Sequence, residues 1–209
     1  MAGFEIGPFM DRGGVWIDVG VGKDALPMRP LIGRPGIKLK GLSPHHRKLP
    51  KGITLIIGQV PEDTDLLPEN RGRSRLVTDI FGAVSYCDDP VQSLIYEALL
   101  LNEGGIFIAF TELYRLGDID TWDRITAFFH ERLRQSISFQ TVYSWGDSLK
   151  RYSTYLRIRV EGKSKTKAAL PNIFKRARLA IGMPQRREPL WTSPDRKAKI
   201  WRMRYCAGK

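Results

Sequence analysis

An acid and two glycines follow a short apolar segment in residues 15–22, VWIDVGVG. The apolar residues favour a buried strand, Asp18 lies near its end, and Gly20 and Gly22 break it into a turn. Glycine lets the backbone turn sharply and lets a ligand approach without a Cβ in the way. An open α/β sheet binds nucleotide-like ligands at such a corner. The pattern alone leaves two interpretations open, a ligand-binding turn and a plain turn.

Three other patterns of reactive residues are less informative. His45 and His46 have no acid or cysteine at ligand spacing beside them, so we expect loop residues in a basic patch and not metal ligands. Cys87 and His130 have the side chains of a nucleophile and a base, but nothing else in the sequence supports that chemistry. The glycines after residue 19 do not complete the GxGxxG pattern of dinucleotide-binding enzymes, which argues against a nicotinamide enzyme.

Short apolar segments bounded by turn residues predict seven strands that position these groups. The predicted strands cover residues 14–19, 36–42, 53–58, 75–81, 106–110, 139–145 and 154–160. Helical or irregular segments separate the first five. The last two follow one another across a short polar connection, so we expect an antiparallel pair.

The connecting segments differ in how well they suit a helix. Residues 24–33 contain Pro27 and Pro30, so this connection is expected to be short or irregular. Residues 61–75 predict a loop or a broken helix. Apolar residues at helical spacing predict amphipathic helices over 90–102 and 120–136 and a short one over 172–181. The first of these begins with Asp88 or Asp89 as N-cap and is expected to end at Gly104-Gly105.

The net charge of +12 lies entirely at the C-terminal end of the chain. Residues 1–161 contain 20 Lys+Arg and 20 Asp+Glu, whereas residues 162–209 contain 14 Lys+Arg and two acids. This asymmetry predicts a neutral domain, 1–161, and a basic extension, 162–209, that contacts a polyanion, with nucleic acid favoured over a membrane surface. The alternative is a solvated tail that only aids solubility.

Composition excludes several classes of protein. No run of about 18 apolar residues is present, so a membrane span is not expected. The first twenty residues contain three acids and no apolar core, so they do not predict a signal peptide. Two cysteines are too few for a disulfide scaffold or a cysteine-rich zinc site. We therefore expect a cytoplasmic protein of one domain with an appendage.

The order of these segments resembles that of the class I S-adenosylmethionine-dependent methyltransferases over about residues 10–161. The matching segments are VWIDVGVG (15–22), IKLKGLS (37–43), GITLIIGQVPED (52–63), RLVTDIFGAVSY (75–86) and ALLLNEGGIFIAF (98–110). They are similar to the family's first motif, its second, third and fourth strands, and the helix that precedes its fifth strand. The resemblance implies a Rossmann-like α/β fold whose seven-stranded sheet is mostly parallel with a C-terminal antiparallel pair.

The resemblance also implies S-adenosylmethionine as cofactor. The residues it assigns to cofactor binding are Asp18, Gly20, Gly22, Ser43, Gln59, Val60 and Asp79. Asp79 and Phe81 are in addition assigned to the transfer site, where Asp79 orients a substrate amine or hydroxyl and Phe81 packs on a ring. For the acids the alternative is structural: Asp18 caps the following amides, and Asp79 ends a strand beside a core Phe81.

The sequence departs from the family's pattern at three positions. Asp24 stands where a third glycine is usual, Ser43 where an acid grips the ribose hydroxyls, and Gln59 where an acid is frequent. Serine forms a hydrogen bond, but not a bidentate charge-assisted one.

Three functions follow from these patterns. The first is a methyltransferase that acts on RNA or another nucleic acid, because Lys and Arg bind phosphate and the tryptophans of the basic extension stack on bases. The second is a catalytically inactive methyltransferase-like module whose extension docks a nucleic acid or a larger assembly, which includes protein partners. The third is a small-molecule methyltransferase whose extension only covers the sheet.

Overall fold

Seven strands form a single mixed sheet at the centre of the protein. The computed structural model describes residues 5–63, 65–145 and 152–182. The strands are β1 (Gly14–Val19), β2 (Ile37–Ser43), β3 (Ile53–Ile57), β4 (Ser74–Ile80), β5 (Leu101–Glu112), β6 (Ser136–Trp145) and β7 (Tyr152–Glu161). Their order is β3-β2-β1-β4-β5-β7-β6. The first five are parallel, and β7 runs antiparallel between β5 and β6, which confirms the predicted fold class.

Helices cover both faces of this sheet. They are α1 (Ile6–Met10), α2 (Leu66–Asn70), α3 (Ala83–Tyr86), α4 (Pro90–Leu99), α5 (Ile119–Phe128) and α6 (Leu170–Ile181). The connection after β1 forms a 3₁₀ helix, Leu26–Leu31, as its two prolines predict. Asp89 caps α4 by accepting a hydrogen bond from the Gln92 amide at 2.9 Å, and Pro90 occupies the first turn.

Two predicted boundaries are wrong. Helix α4 ends at Leu99, and β5 begins at Leu101, so the Gly104-Gly105 pair lies inside a strand and does not end the helix. Helix α5 ends at Phe128 and continues as a π-helical turn to Leu133. Arg134 then takes a left-handed conformation (φ +59°), and β6 begins two residues later. Apolar periodicity alone predicts neither of these changes in backbone conformation.

The core has one cluster on each face of the sheet. The smaller cluster packs Trp16, Leu39 and Leu76 from the sheet against the 3₁₀ helix and α1. The larger cluster packs the other face against α4, α5 and α6. Burial of apolar side chains on both faces stabilises the central strands and suits their nearly continuous apolar sequences.

Helix α6 belongs to this larger cluster, although it lies within the predicted extension 162–209. Leu170, Ile173, Ala177 and Ile181 are buried against the domain at helical spacing. The extension is therefore packed on the domain as far as residue 182, because its first helix has an apolar face. Residues 183–209, with most of its basic residues and its tryptophans, lie outside the described residues. No described helix is long and apolar enough to span a bilayer.

Candidate active site

The predicted site residues meet at the carboxyl edge of the sheet. Strand order reverses between β1 and β4, and open α/β sheets form their ligand crevice at such a switch point. In the register of the sheet, Val19 lies beside Leu42 of β2 on one side and beside Asp79 of β4 on the other. This arrangement brings the ends of three strands together, with Asp18, Ser43 and Asp79 at neighbouring positions.

Asp18 occupies a buried, hydrogen-bonded position between β1 and β4. Its side chain is 6% exposed, and its Oδ1 accepts a hydrogen bond of 2.6 Å from the Thr78 hydroxyl. The Thr78 oxygen in turn accepts a 2.9 Å hydrogen bond from the Trp16 indole N–H. Burial raises the pKa of Asp18 to about 6, and nearby Asp79 adds to the shift, whereas the Thr78 bond opposes it. Asp18 is ionised at neutral pH at an energetic cost.

Asp79 is fully buried and holds the loop that follows β4. Its Oδ1 accepts a hydrogen bond from the Gly82 amide (2.5 Å), and its Oδ2 accepts one from the Val84 amide (2.8 Å). Burial raises the pKa of Asp79 to about 6, and these amide bonds together with a hydrogen bond to Glu97 limit the shift. Since both oxygens are engaged with backbone, Asp79 positions the loop and α3, and it presents no surface to a substrate.

Glu97 is a third buried acid, which the sequence reasoning missed. It lies on α4 and is fully buried, with its carboxyl group beside that of Asp79. Burial raises its pKa well above the ordinary value, and repulsion from Asp79 and Asp18 adds to the shift. Glu97 therefore favours its neutral form more strongly than an exposed glutamate does. The signal for it in the sequence was a lone acid within the apolar helical segment at residues 94–101.

The glycines of the turn after β1 have different structural roles. Gly20 has φ +74°, and a Cβ on it would lie 2.8 Å from the Gly82 Cα. Gly20 therefore allows the turns after β1 and β4 to touch. A Cβ on Gly22 would meet no atom within 4 Å, so this residue borders open space at the carboxyl edge. Asp24, where a third glycine was expected, is exposed and lies 3.6 Å from the Arg29 guanidinium.

Ser43, Gln59 and Val60 follow the next two strands. The Ser43 hydroxyl accepts a 3.2 Å hydrogen bond from the His45 amide and is fully buried. Its side chain is thus not available to a ribose hydroxyl, because it stabilises the turn after β2. The Gln59 backbone exchanges hydrogen bonds with Asp63, while its side chain is half-buried. Val60 is buried beside the core.

Phe81 is held in an uncommon backbone conformation at the end of β4. Its φ is +55°, a left-handed value that is costly for a residue with a large side chain. The ring is 37% exposed and meets the Tyr155 ring edge-on, with centroids 5.2 Å apart. Strained residues of this kind cluster at ligand sites, where the surrounding structure holds them in place. The position therefore marks the lip of the crevice.

The weaker constellations do not form reactive sites. The Cys87 sulfur lies 2.7 Å from the Ser93 hydroxyl, and burial raises the pKa of the thiol, so it is a structural residue and not an activated nucleophile. His130 is exposed on the π-helical turn. Across the described residues, no three His, Cys, Asp or Glu side chains are grouped to hold a metal ion.

A cationic ligand suits the chemistry of this crevice. Asp18, Asp79 and Glu97 place three buried carboxyl groups near the turn that follows β1, and a Cβ on Gly22 of that turn would meet open space. S-adenosylmethionine carries a sulfonium and an ammonium against one carboxylate, so it has a net positive charge. The charge of Asp18 therefore fits its amino-acid end, with Asp79 and Glu97 buried behind it, while the buried Ser43 does not supply the expected ribose contact.

Comparison with known proteins locates the fold. No protein-family model matches the sequence, and no curated protein matches it. Among solved structures, the plantazolicin methyltransferase BpumL, described in complex with a desmethylPZN analogue and SAH, is similar with a TM-score of 0.51 at 10% identity, over 72% of this chain and 77% of that chain. The precorrin-6y C5,15-methyltransferase of Geobacter metallireducens has a TM-score of 0.46 at 14% identity, over 73% of this chain and 81% of the other. Together with the strand order, the first likeness shows that this chain has the fold of the class I S-adenosylmethionine-dependent methyltransferases.

Proposed function

We propose that the protein is an S-adenosylmethionine-dependent methyltransferase. The observation that carries this proposal is the cluster of three buried acids, Asp18, Asp79 and Glu97, at the switch point of the sheet, where the turn after β1 borders open space at Gly22. Burying three carboxyl groups together is unfavourable for the fold alone, since burial raises the pKa of all three and charge repulsion adds to the shifts of Asp18 and Glu97. A cationic ligand at the switch point offsets that cost. Clusters of perturbed acids in a crevice are typical of functional sites.

Each residue of the crevice has a role in this proposal. Asp18 and the backbone at Gly22 hold the amino-acid end of the cofactor, and Gln59 and Val60 border its other end. The bound cofactor supplies a methyl group that is already activated by a positive sulfur, so the protein has to orient it toward a nucleophile and exclude water. Phe81 borders the acceptor from the exposed lip. Asp79 acts as a positioning residue, because its hydrogen bonds set the backbone that presents Phe81.

The favoured acceptor is RNA or another nucleic acid. The support for it is the charge of residues 162–209, which contain 14 Lys+Arg and two acids. Cations of this density bind phosphate backbones, and the affinity falls steeply with salt. A small-molecule acceptor predicts instead that nucleic-acid affinity is weak and independent of salt.

Calorimetry with S-adenosylmethionine and S-adenosylhomocysteine tests the proposal. We expect wild-type binding of both, and loss of binding in Gly22→Arg, because the new side chain fills the open space beside the turn. Gly7→Arg is the matched control, since a Cβ on Gly7 also meets no atom within 4 Å and its φ lies outside the left-handed region. Absence of binding by the folded wild-type protein refutes the enzyme proposal.

A second candidate function is a binding module without catalysis. Two observations favour it: the Ser43 side chain is buried, and the Gly20 and Gly82 backbones touch, which removes space above Gly20. This candidate predicts that the protein binds nucleic acid but neither cofactor form. It further predicts that Gly22→Arg leaves nucleic-acid affinity unchanged, and a loss of that affinity in the folded variant argues against it.

A further inference from the structure

The amino edge of the sheet, opposite the crevice, carries a row of lysines. We propose that this edge is a docking surface for the backbone of a duplex nucleic acid, separate from the site of methyl transfer. The choice of a nucleic acid as partner rests on the proposed function, whereas the position of the surface follows from the fold. The surface consists of the segment Gly162–Ala168, called here the lysine segment, together with the basic residues that precede β4 and β6.

The lysine segment presents its three lysines on one side. Lys163, Lys165 and Lys167 are exposed, whereas the residues between them are half-buried, which is the alternation of an extended chain. Residues two apart in an extended chain are separated by about 6.6 Å. This separation is comparable to that of consecutive phosphates along a nucleic-acid strand. The three ammonium groups can therefore contact successive phosphates from one side.

Backbone contacts hold the lysine segment against the domain. The Arg71 guanidinium donates hydrogen bonds to the Thr166 carbonyl (2.6 Å) and the Ala168 carbonyl (3.1 Å). The Gly162 amide donates to the Gly105 carbonyl at 2.9 Å, and the Lys165 amide donates to the Leu133 carbonyl at 3.0 Å. Arg71 is a positioning residue in this surface. An ordered segment loses less conformational entropy on binding than a free tail does.

The surroundings of the lysine segment add positive charge. Arg73 precedes β4, and Arg132 and Arg134 precede β6, so the parallel arrangement of these strands places all three at the same edge. Glu161, at the end of β7, is paired with Arg159 at 2.6 Å. Its charge is therefore already compensated. Glu103 and Glu131 are exposed acids at the same edge, and they are outnumbered by the three lysines and three arginines, so the edge remains net positive.

The opposite edge carries charges of both signs. Asp89 and Asp118 lie in loops that follow carboxyl ends of strands, and so do Lys23, Arg47 and Lys48. A polyanion is therefore attracted more strongly to the amino edge. A nucleic acid held by the lysine segment reaches the crevice only with a part of its structure that lies far from the lysines. The lysines contact phosphates and no base edges, so binding at this surface does not depend on the nucleotide sequence.

Titration of a short labelled RNA duplex by fluorescence anisotropy tests the surface. The variant replaces Lys163, Lys165 and Lys167 with Gln in the full-length chain. The matched control replaces Lys23 and Lys48 with Gln, since these lysines are also exposed but lie in the connections that leave the carboxyl ends of β1 and β2. We expect the variant to lower the slope of log affinity against log salt by about 3, one for each lost phosphate contact. The control is expected to keep the wild-type slope.

Several outcomes overturn the proposal. These are an unchanged slope in the lysine-segment variant, an equal loss in the control, or tighter binding of phosphatidylserine vesicles than of the duplex by the wild type. Calorimetry with S-adenosylhomocysteine on the lysine-segment variant tests whether the fold is intact. We expect its affinity to equal that of the wild type. If no form of the protein binds S-adenosylhomocysteine but the duplex results hold, the methyltransferase proposal fails and the docking surface stands.

Discussion

Asp18→Asn distinguishes the effect of the buried acid on stability from its effect on cofactor binding. The substitution keeps the shape of the side chain, and the amide oxygen still accepts the hydrogen bond from the Thr78 hydroxyl. It removes the ionisable group, whose pKa rises from 3.8 to about 6 on folding, mainly through burial. One unit of pKa shift corresponds to about 1.4 kcal/mol, so ionised Asp18 lowers the free energy of unfolding by about 3 kcal/mol at neutral pH.

The sign of the pH dependence follows from proton binding. Between about pH 4 and pH 6 the folded protein holds a proton on Asp18 that the unfolded chain has lost. The contribution of this group to stability is therefore complete below pH 4 and is lost as pH rises through 6. We expect Asp18→Asn to match the wild type at pH 4 and to exceed it by about 3 kcal/mol at pH 7.5.

Urea denaturation at the two pH values, without cofactor, measures this difference. The same variant is expected to bind S-adenosylhomocysteine more weakly, because a charge beside the amino-acid end is lost. A gain of stability with a loss of binding is typical of residues retained for function. Equal destabilisation of Asp18→Asn at both pH values refutes the assignment of a raised pKa. Unchanged affinity refutes the role of Asp18 in cofactor binding.

Three further predictions concern the turns and the docking surface. Gly20→Ala is expected to lower the free energy of unfolding by about 2 kcal/mol, because the new side chain is strained in the left-handed conformation and meets Gly82. Gly22→Ala is expected to change it by less than about 0.5 kcal/mol. Equal urea midpoints for the two variants contradict this prediction. Phe81→Asn relieves left-handed strain, so stability is retained while kcat of methyl transfer falls; an unchanged kcat removes Phe81 from the transfer site. Arg71→Gln keeps the three lysines but removes the hydrogen bonds that hold the lysine segment against the domain. We therefore expect lower affinity for the duplex and unchanged affinity for S-adenosylhomocysteine. Wild-type duplex affinity in the anisotropy titration contradicts the positioning role of Arg71.

Much of the fold was predictable because its signals are local. Apolar strands bounded by glycines and prolines located all seven strands, and the prolines after β1 predicted the irregular connection seen as a 3₁₀ helix. The start of β5 was not predictable, because Leu101 and Asn102 continue an apolar helical pattern that the backbone abandons for pairing with β4. Pairing with a distant strand outweighs local preference at such a boundary.

The positions of the predicted site residues in the sheet were predictable, but their contacts were not. The resemblance placed Asp18, Ser43 and Asp79 at the carboxyl edge, where they lie. Their hydrogen-bond partners are contacts that short-range patterns do not encode. The Asp79 bonds to Gly82 and Val84 turn an expected substrate ligand into a positioning residue, and the Ser43 bond to His45 removes an expected ribose contact.

The sequence by itself determined the strand pattern, the glycine turn and the basic C-terminal end, because periodicity, turn residues and charge are properties of neighbouring residues. Only the tertiary structure brought Glu97 close to Asp18 and Asp79 and joined the turns at Gly20 and Gly82. It also packed the lysine segment against the amino edge of the sheet. The physical reason is that strand order and helix packing decide which distant groups share a buried or exposed surface, and pKa values and docking surfaces depend on that proximity.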